Sequence, residues 1–236
     1  MRRLAALLAL ALLLAACGGG GFQAWKKPAA HPKWASLAQK LGVYQRIVCP
    51  ACKAGDWKLG IIRSKKINAL NAGRGIFYVT EGLLAQPMEL QEAVIAHEAA
   101  HEVAGHVESQ ELASLATTAA FTVLGAFIPG AGYINYLANP LVTRAFSRAQ
   151  EMEADRISVW LWRRAHGNLQ GAGALKRFLL RPRKKTPGGG GFLDTHPHPR
   201  ERAAQLERIL AGRLAPEAPP AYTPPQKEEE EVEVEP

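Results

Sequence analysis

The sequence predicts an α+β domain that is mostly helical and carries one small antiparallel sheet. Three observations predict it. Residues 89–106 place apolar side chains at Leu90, Ala93, Val94, Ala96, Ala100 and Val103, a helical spacing with no Gly or Pro until Gly105. Residues 144–165 read as a second helix with its own acidic cluster. Residues 75–80 are rich in β-branched and aromatic side chains and follow a turn loosened by Gly73 and Gly75, so they read as a strand at the sheet edge.

The chain opens on an address label. Met1, Arg2 and Arg3 give a charged start, residues 4–14 an apolar stretch too short to span a bilayer, and Ala15 and Ala16 a processing site, so 1–16 read as a signal peptide. The end of this segment, Leu14-Ala15-Ala16-Cys17, resembles the bacterial lipobox, which implies acylation of Cys17 and a membrane anchor there. Gly18, not an acidic residue, follows Cys17, which by the same resemblance favours the outer membrane. Residues 17–34, with a glycine tract and Pro28 and Pro32, read as a flexible linker.

The folded domain is expected over 35–214, with further strand-like runs at 43–48 and 57–62. Between them Cys49 and Cys52 stand as Cys-Pro-Ala-Cys. There is no second pair for a zinc ribbon, and an exported chain favours a local disulfide over two free thiols or a thioredoxin-like redox centre. Residues 112–143 hold no charge, yet Gly125, Pro129, Gly130 and Pro140 break any run long enough to cross a membrane, so a buried or membrane-facing helical hairpin is expected. A last helix is expected over 200–214, and the Pro/Glu-rich tail 215–236 lacks the apolar content to fold.

At 236 residues and 47% hydrophobic content the chain can bury one core. Its net charge of +8 coexists with one Lys and six Glu among the last ten residues, so the body is more basic than the total. Such a body suits anionic surfaces, with 63–66 and 181–185 as the basic runs. Nucleic acid is not an expected partner, because no basic motif interleaved with aromatics appears and the N-terminus directs export.

The chemistry centres on His97-Glu98-Ala99-Ala100-His101. On a helix, residues four apart lie about 40° apart around the axis, so His97 and His101 can share one metal ion. Zinc lowers the pKa of its bound water to about 7, and Glu98 on the rim of that face can serve as general base. A catalytic zinc needs a third protein ligand and an open position. His106, about 140° from His101 on a continuing helix, reads as a structural or surface histidine. On the second helix Glu151 and Asp155 share one face, so a carboxylate ligand and a carboxylate that fixes a histidine tautomer can come together. Glu153, about 200° from Glu151, should point elsewhere.

Beyond these helices the sequence resembles the M48 zinc metallopeptidases, in their CAAX prenyl protease/HtpX-like, periplasmic lipoprotein type. Asn68-Ala69, GRGIFYVTEGLL from Gly73, HEAAHEVAGH, SRAQEMEAD and Thr195-His196-Pro197 follow in the family's order and cover roughly residues 65–212. Ala100 stands where the family usually has Gly, and Gly73-Arg74-Gly75 where the common turn reads Pro-Gly-Gly. The resemblance implies a zincin-type (gluzincin) domain with the edge strand beside the zinc helix, and one zinc ion per chain. It implies Glu151 as third ligand, substrate backbone held by Asn68 and by the strand Ile76, Phe77, Tyr78 and Val79, and catalytic roles for His196 and Arg202. The expected activity is endopeptidase cleavage of unfolded or misassembled envelope proteins on the periplasmic side. Two rival readings are a zinc-bound chaperone or assembly lipoprotein that does not cut, and a redox lipoprotein working through Cys49 and Cys52.

Overall fold

The computed structural model describes residues 24–110, 146–182 and 191–224. The signal segment, Cys17, the uncharged stretch 112–143 and the acidic end lie outside them. Among the described residues, no helix is long and apolar enough to cross a membrane.

The first helix, α1, is Trp34–Val48, and it absorbs the expected strand at 43–48. Leu37, Leu41 and Tyr44 are buried at helical spacing on one face, and that packing outweighs the local β-branched content of Val43, Ile47 and Val48. Cys49 closes the helix and is disulfide-bonded to Cys52, with the two Cα atoms 5.3 Å apart.

Strands β1 (Lys58–Ile62), β2 (Ala69–Asn71) and β3 (Ile76–Thr80) form a sheet in the order β1-β3-β2. The sheet is mixed, because β1 runs parallel to β3 and β2 antiparallel to it. This corrects two expectations: the sheet is not purely antiparallel, and Ile76–Thr80 is its central strand. Phe77 and Val79 are fully buried, as befits a strand flanked on both sides. The edge beside the histidine helix is instead β2, three residues without a β-branched side chain, which propensity passes over.

Thr80 caps the short α2 (Glu81–Leu84) by accepting the Leu83 N–H at 3.2 Å. Helix α3, Met88–Val103, packs against α1, β2, α4 and α5, and every residue from Leu90 to Val103 is buried. Its polar side chains therefore all need partners inside the protein. Helix α4, Arg148–His166, starts at a capping box between Ser147 and Gln150 and stops at Gly167, whose φ is +71°. Helices α5 (Gln170–Leu179), α6 (Phe192–Thr195) and α7 (Pro199–Leu210) complete the body, α7 ending one turn short of the expected Leu214.

Both flanks touch the body. Within the expected linker, the Trp25 N–H donates to the Ile61 carbonyl at 2.8 Å and its indole to Glu81 at 2.9 Å. Within the expected tail, Glu217 pairs with Arg156 at 2.9 Å and Tyr222 hydrogen-bonds Trp57 and Glu102. A single aromatic residue with a polar tip docks a segment whose composition alone reads as solvated.

Candidate metal centre

His97 and His101 lie one turn apart on α3 with their Nε2 atoms 3.1 Å apart. Glu151, in the first turn of α4, brings Oε2 to 3.3 Å from His97 Nε2 and Oε1 to 3.6 Å from His101 Nε2. His196, the residue after α6, joins them, and one ligand atom from each of the four lies within 4.8 Å of all the others. All four side chains are buried. The two stretches of chain that the sequence reading pairs, 97–101 and 151–155, do meet.

The donor set fits a zinc ion. Both Glu151 oxygens, both Glu98 oxygens and His196 Nε2 are buried without a well-aligned hydrogen bond, although Arg202 Nη1 stands 2.5 Å from Glu151 Oε2. Buried acceptors left unmet cost about 1–3 kcal/mol each. Imidazole nitrogens and a carboxylate converging with unused lone pairs are the ligand types zinc takes. Burial and the Arg202 charge pull the His97 ring down, but hydrogen bonds to Asp155 and Glu151 more than reverse this and raise its pKa to about 9. Burial holds His101 well below the usual histidine range, with the His97 charge adding to it.

Asp155 Oδ1 lies 3.0 Å from His97 Nδ1. Burial would raise its carboxyl, but the charge and hydrogen bonds of Arg202 win and hold it at about 2. A carboxylate there accepts the Nδ1 proton and leaves His97 Nε2 bare, as metal ligation requires. Arg202, completely buried, grips Asp155 through Nε at 2.8 Å and Nη2 at 2.7 Å. Its guanidinium fork is occupied by Asp155 and Glu151, so it sits behind the ligands.

Glu98 faces the histidines, and burial lifts its carboxyl to about 7 against the opposing His97 charge. His196 turns Nε2 to 3.3 Å from Glu98 Oε1, with its Nδ1 3.2 Å from the Phe192 carbonyl oxygen. Two aromatic rings wall the site: Phe146 stacks on His101 at 3.8 Å and Phe192 on His196 at 4.2 Å.

The remaining predicted site residues sit in the sheet. Asn68 is buried, its N–H donating to Thr80 Oγ1 at 3.0 Å and its Oδ1 accepting from the Ala69 N–H at 2.9 Å. Ile76, Phe77, Tyr78 and Val79 pair on both sides, leaving their strand no free backbone edge. At the two ends of β2, the Thr80 N–H donates to the Asn68 carbonyl and the Ala72 N–H to the Ile76 carbonyl. In an antiparallel ladder alternate residues face the partner, so Ala69 and Asn71 direct their backbone groups away from β3. The Asn71 N–H faces Glu98 and draws its carboxyl down.

His106 is the structural histidine the sequence allowed for, but its direction is a correction, since it turns toward His101 and not away from it. It is buried, with Nδ1 2.8 Å from His101 Nδ1 and Nε2 3.3 Å from Glu153 Oε2. Helical extrapolation past Val103 fails because Gly105, at φ +66°, turns the chain back. That glycine was the readable signal. Phe146 and Phe192 gave none, since neither lies in a motif with metal-site spacing.

Comparison with known proteins decides the family: residues 34–210 match the profile of Peptidase family M48. The chain belongs to peptidase family M48. Members of this family are zinc metallopeptidases, and the four-residue group is where this M48 chain could hold the ion. The chain is 29% identical over 189 residues to mitochondrial metalloendopeptidase OMA1 of Schizosaccharomyces pombe, covering 78% of this chain and 55% of that protein. It is 28% identical to the mitochondrial metalloendopeptidase OMA1 of Bos taurus, covering 75% of this chain and 38% of that one. Metalloprotease LoiP of Escherichia coli is 29% identical over 152 residues, 62% of this chain and 60% of its own. The M48 chain therefore spans roughly half the length of the curated relatives it matches.

Proposed function

We propose that this M48 chain is a zinc-dependent endopeptidase that cuts extended segments of unfolded or misassembled envelope proteins. The observation that carries this reading is the convergence of His97, His101 and Glu151, with the buried carboxyl of Glu98 beside them. His97, His101 and Glu151 are the metal ligands, and a zinc ion bound there supplies Lewis-acid polarisation of the scissile carbonyl and of the attacking water.

The protein's own groups do the rest. The outward-facing carbonyls of Ala69 and Asn71 accept from an extended peptide laid along β2, whose own carbonyl replaces Asn68 Oδ1 at the Ala69 N–H, a role moved here from β3 because β3 has no free side. Glu98, buried beside the ligands and facing the histidines, takes a proton from the attacking water and returns it to the leaving amine. His196, with Nδ1 accepting from the Thr195 hydroxyl at 2.9 Å, carries its proton on Nε2 and donates it to the developing negative oxygen. Asp155 fixes the His97 tautomer, and Arg202 acts through Asp155 and Glu151, not on the substrate.

The enzyme acts in envelope protein quality control, facing the periplasm and held to the outer membrane by acyl chains on Cys17. Its sequence supports a domain order of signal peptide 1–16, lipidated linker 17–34, a zincin-type (gluzincin) domain 35–214 and an acidic tail 215–236. Digestion of unfolded casein, with and without a zinc chelator, tests the activity. Chelator-sensitive fragments are expected, whereas casein bound but left intact would favour the non-cutting chaperone. Mass analysis of the mature N-terminus tests the anchor: an acylated Cys17 is expected, and an unmodified one overturns it.

A further inference from the structure

The proposed mechanism uses only one side of the His101 ring. The other side meets a second ring that none of the metal chemistry has yet required. His101 Nδ1 and His106 Nδ1 are 2.8 Å apart, and His106 Nε2 is 3.3 Å from Glu153 Oε2. The His106 side chain is 6% exposed and that of Glu153 44%, so the line runs from the buried centre to the surface of α4.

Proton bookkeeping fixes this arrangement. Two ring nitrogens at 2.8 Å need one proton between them, since two bare lone pairs or two N–H groups would repel. Ligation through Nε2 obliges His101 to carry its proton on Nδ1. His101 then donates, and His106 accepts at Nδ1. The His106 proton must sit on Nε2, where the Glu153 carboxylate receives it. Stacking of Phe146 on His101 restricts the ring to the plane in which this hydrogen bond forms. Gly105, turning left-handed between α3 and His106, brings the second ring back against the first.

We propose that His106 and Glu153 are positioning residues for the metal centre, a relay that fixes the His101 tautomer and aims its Nε2 at the ion. The proposal rests on the reading of His101 as a ligand. His97 has Asp155 for this task, and the relay gives His101 its counterpart from the opposite side of the site. An outer partner of this kind typically changes metal affinity by about 10–100-fold when removed.

The experiment is competition of zinc between a chelator and the full chain, for wild type, His101→Ala, His106→Leu, His106→Asn and Glu153→Gln. Apo-protein melting is recorded beside it. His106→Leu should bind zinc about 10–100-fold more weakly. In His106→Asn the amide oxygen overlies the ring Nδ1 and still accepts from His101, so affinity should return to within about threefold of wild type. Glu153→Gln should fall between the two. Imidazole 15N shifts of the zinc-loaded wild type should show His101 protonated at Nδ1 and His106 at Nε2. Equal losses in the Leu and Asn variants, or wild-type affinity in His106→Leu, would overturn the relay. Undiminished binding in His101→Ala would instead remove the ligand reading beneath it.

Discussion

Arg202 closes Nε and Nη2 of its guanidinium on Asp155, at 2.8 and 2.7 Å, with neither side chain exposed to solvent. The pair ties α7 to α4 directly behind His97, and Glu151 draws on the same cation. Removing Arg202 would strand two buried carboxylates. We expect Arg202→Leu to destabilise the apo protein by about 3–5 kcal/mol. Arg202→Lys should recover little, since an ammonium cannot make the fork. Denaturant midpoints measure both, and a loss below about 1 kcal/mol would contradict the role assigned here.

Zinc should stabilise the fold by mass action, because His97 and His101 on α3 and Glu151 on α4 converge on one centre. At a hundredfold excess over the dissociation constant the gain is about 2.7 kcal/mol. For a body of this size that corresponds to a rise of about 5–10 °C in melting temperature. A chelator should reverse the rise and added zinc should restore it, as read by thermal scanning.

Much of the site was legible because helix geometry and metal chemistry are local rules. The i, i+4 spacing of His97 and His101 and of Glu151 and Asp155 aims side chains whatever surrounds them. Two imidazoles ask for a third ligand, and the family resemblance pointed to Glu151 on the second helix. What escaped depended on long-range packing. Val43–Val48 looks extended until Leu37, Leu41 and Tyr44 bury a helical face. Ala69–Asn71 carries no strand signature of its own and becomes the sheet edge only because β3 pairs with it. His106 was misplaced because a helical wheel was carried through Gly105.

Gly82 shows how tightly the sheet side is closed. A Cβ at this position would stand 2.3 Å from the carbonyl oxygens of both Lys65 and Lys66, and neither can rotate away. Gly82→Ala should cost about 1–3 kcal/mol and displace the segment leading into β2. Unfolding curves report the cost. Unchanged stability would mean that this segment is free to move.

Tyr222 pins the C-terminal segment by donating to Glu102 at 3.0 Å and accepting from the Trp57 indole at 3.2 Å. Glu102 also accepts the Gly75 N–H at 2.7 Å, so the strap is fastened to the turn before β3. Tyr222→Phe should cost about 1–2 kcal/mol and leave the segment after Leu214 more open to proteolysis. Wild-type cleavage kinetics in that variant would show that the hydroxyl does not hold the strap.

The central claim is that His97, His101 and Glu151 hold one zinc ion and Glu98 works beside it without binding it. Zinc content and casein cleavage measured together on wild type, Glu98→Gln and Glu151→Ala test this most directly. We predict about one zinc per chain in wild type and in Glu98→Gln, cleavage in wild type alone, and a Glu151→Ala protein depleted of zinc. A fully active Glu98→Gln protein, or a Glu151→Ala protein that retains its metal, would contradict the account.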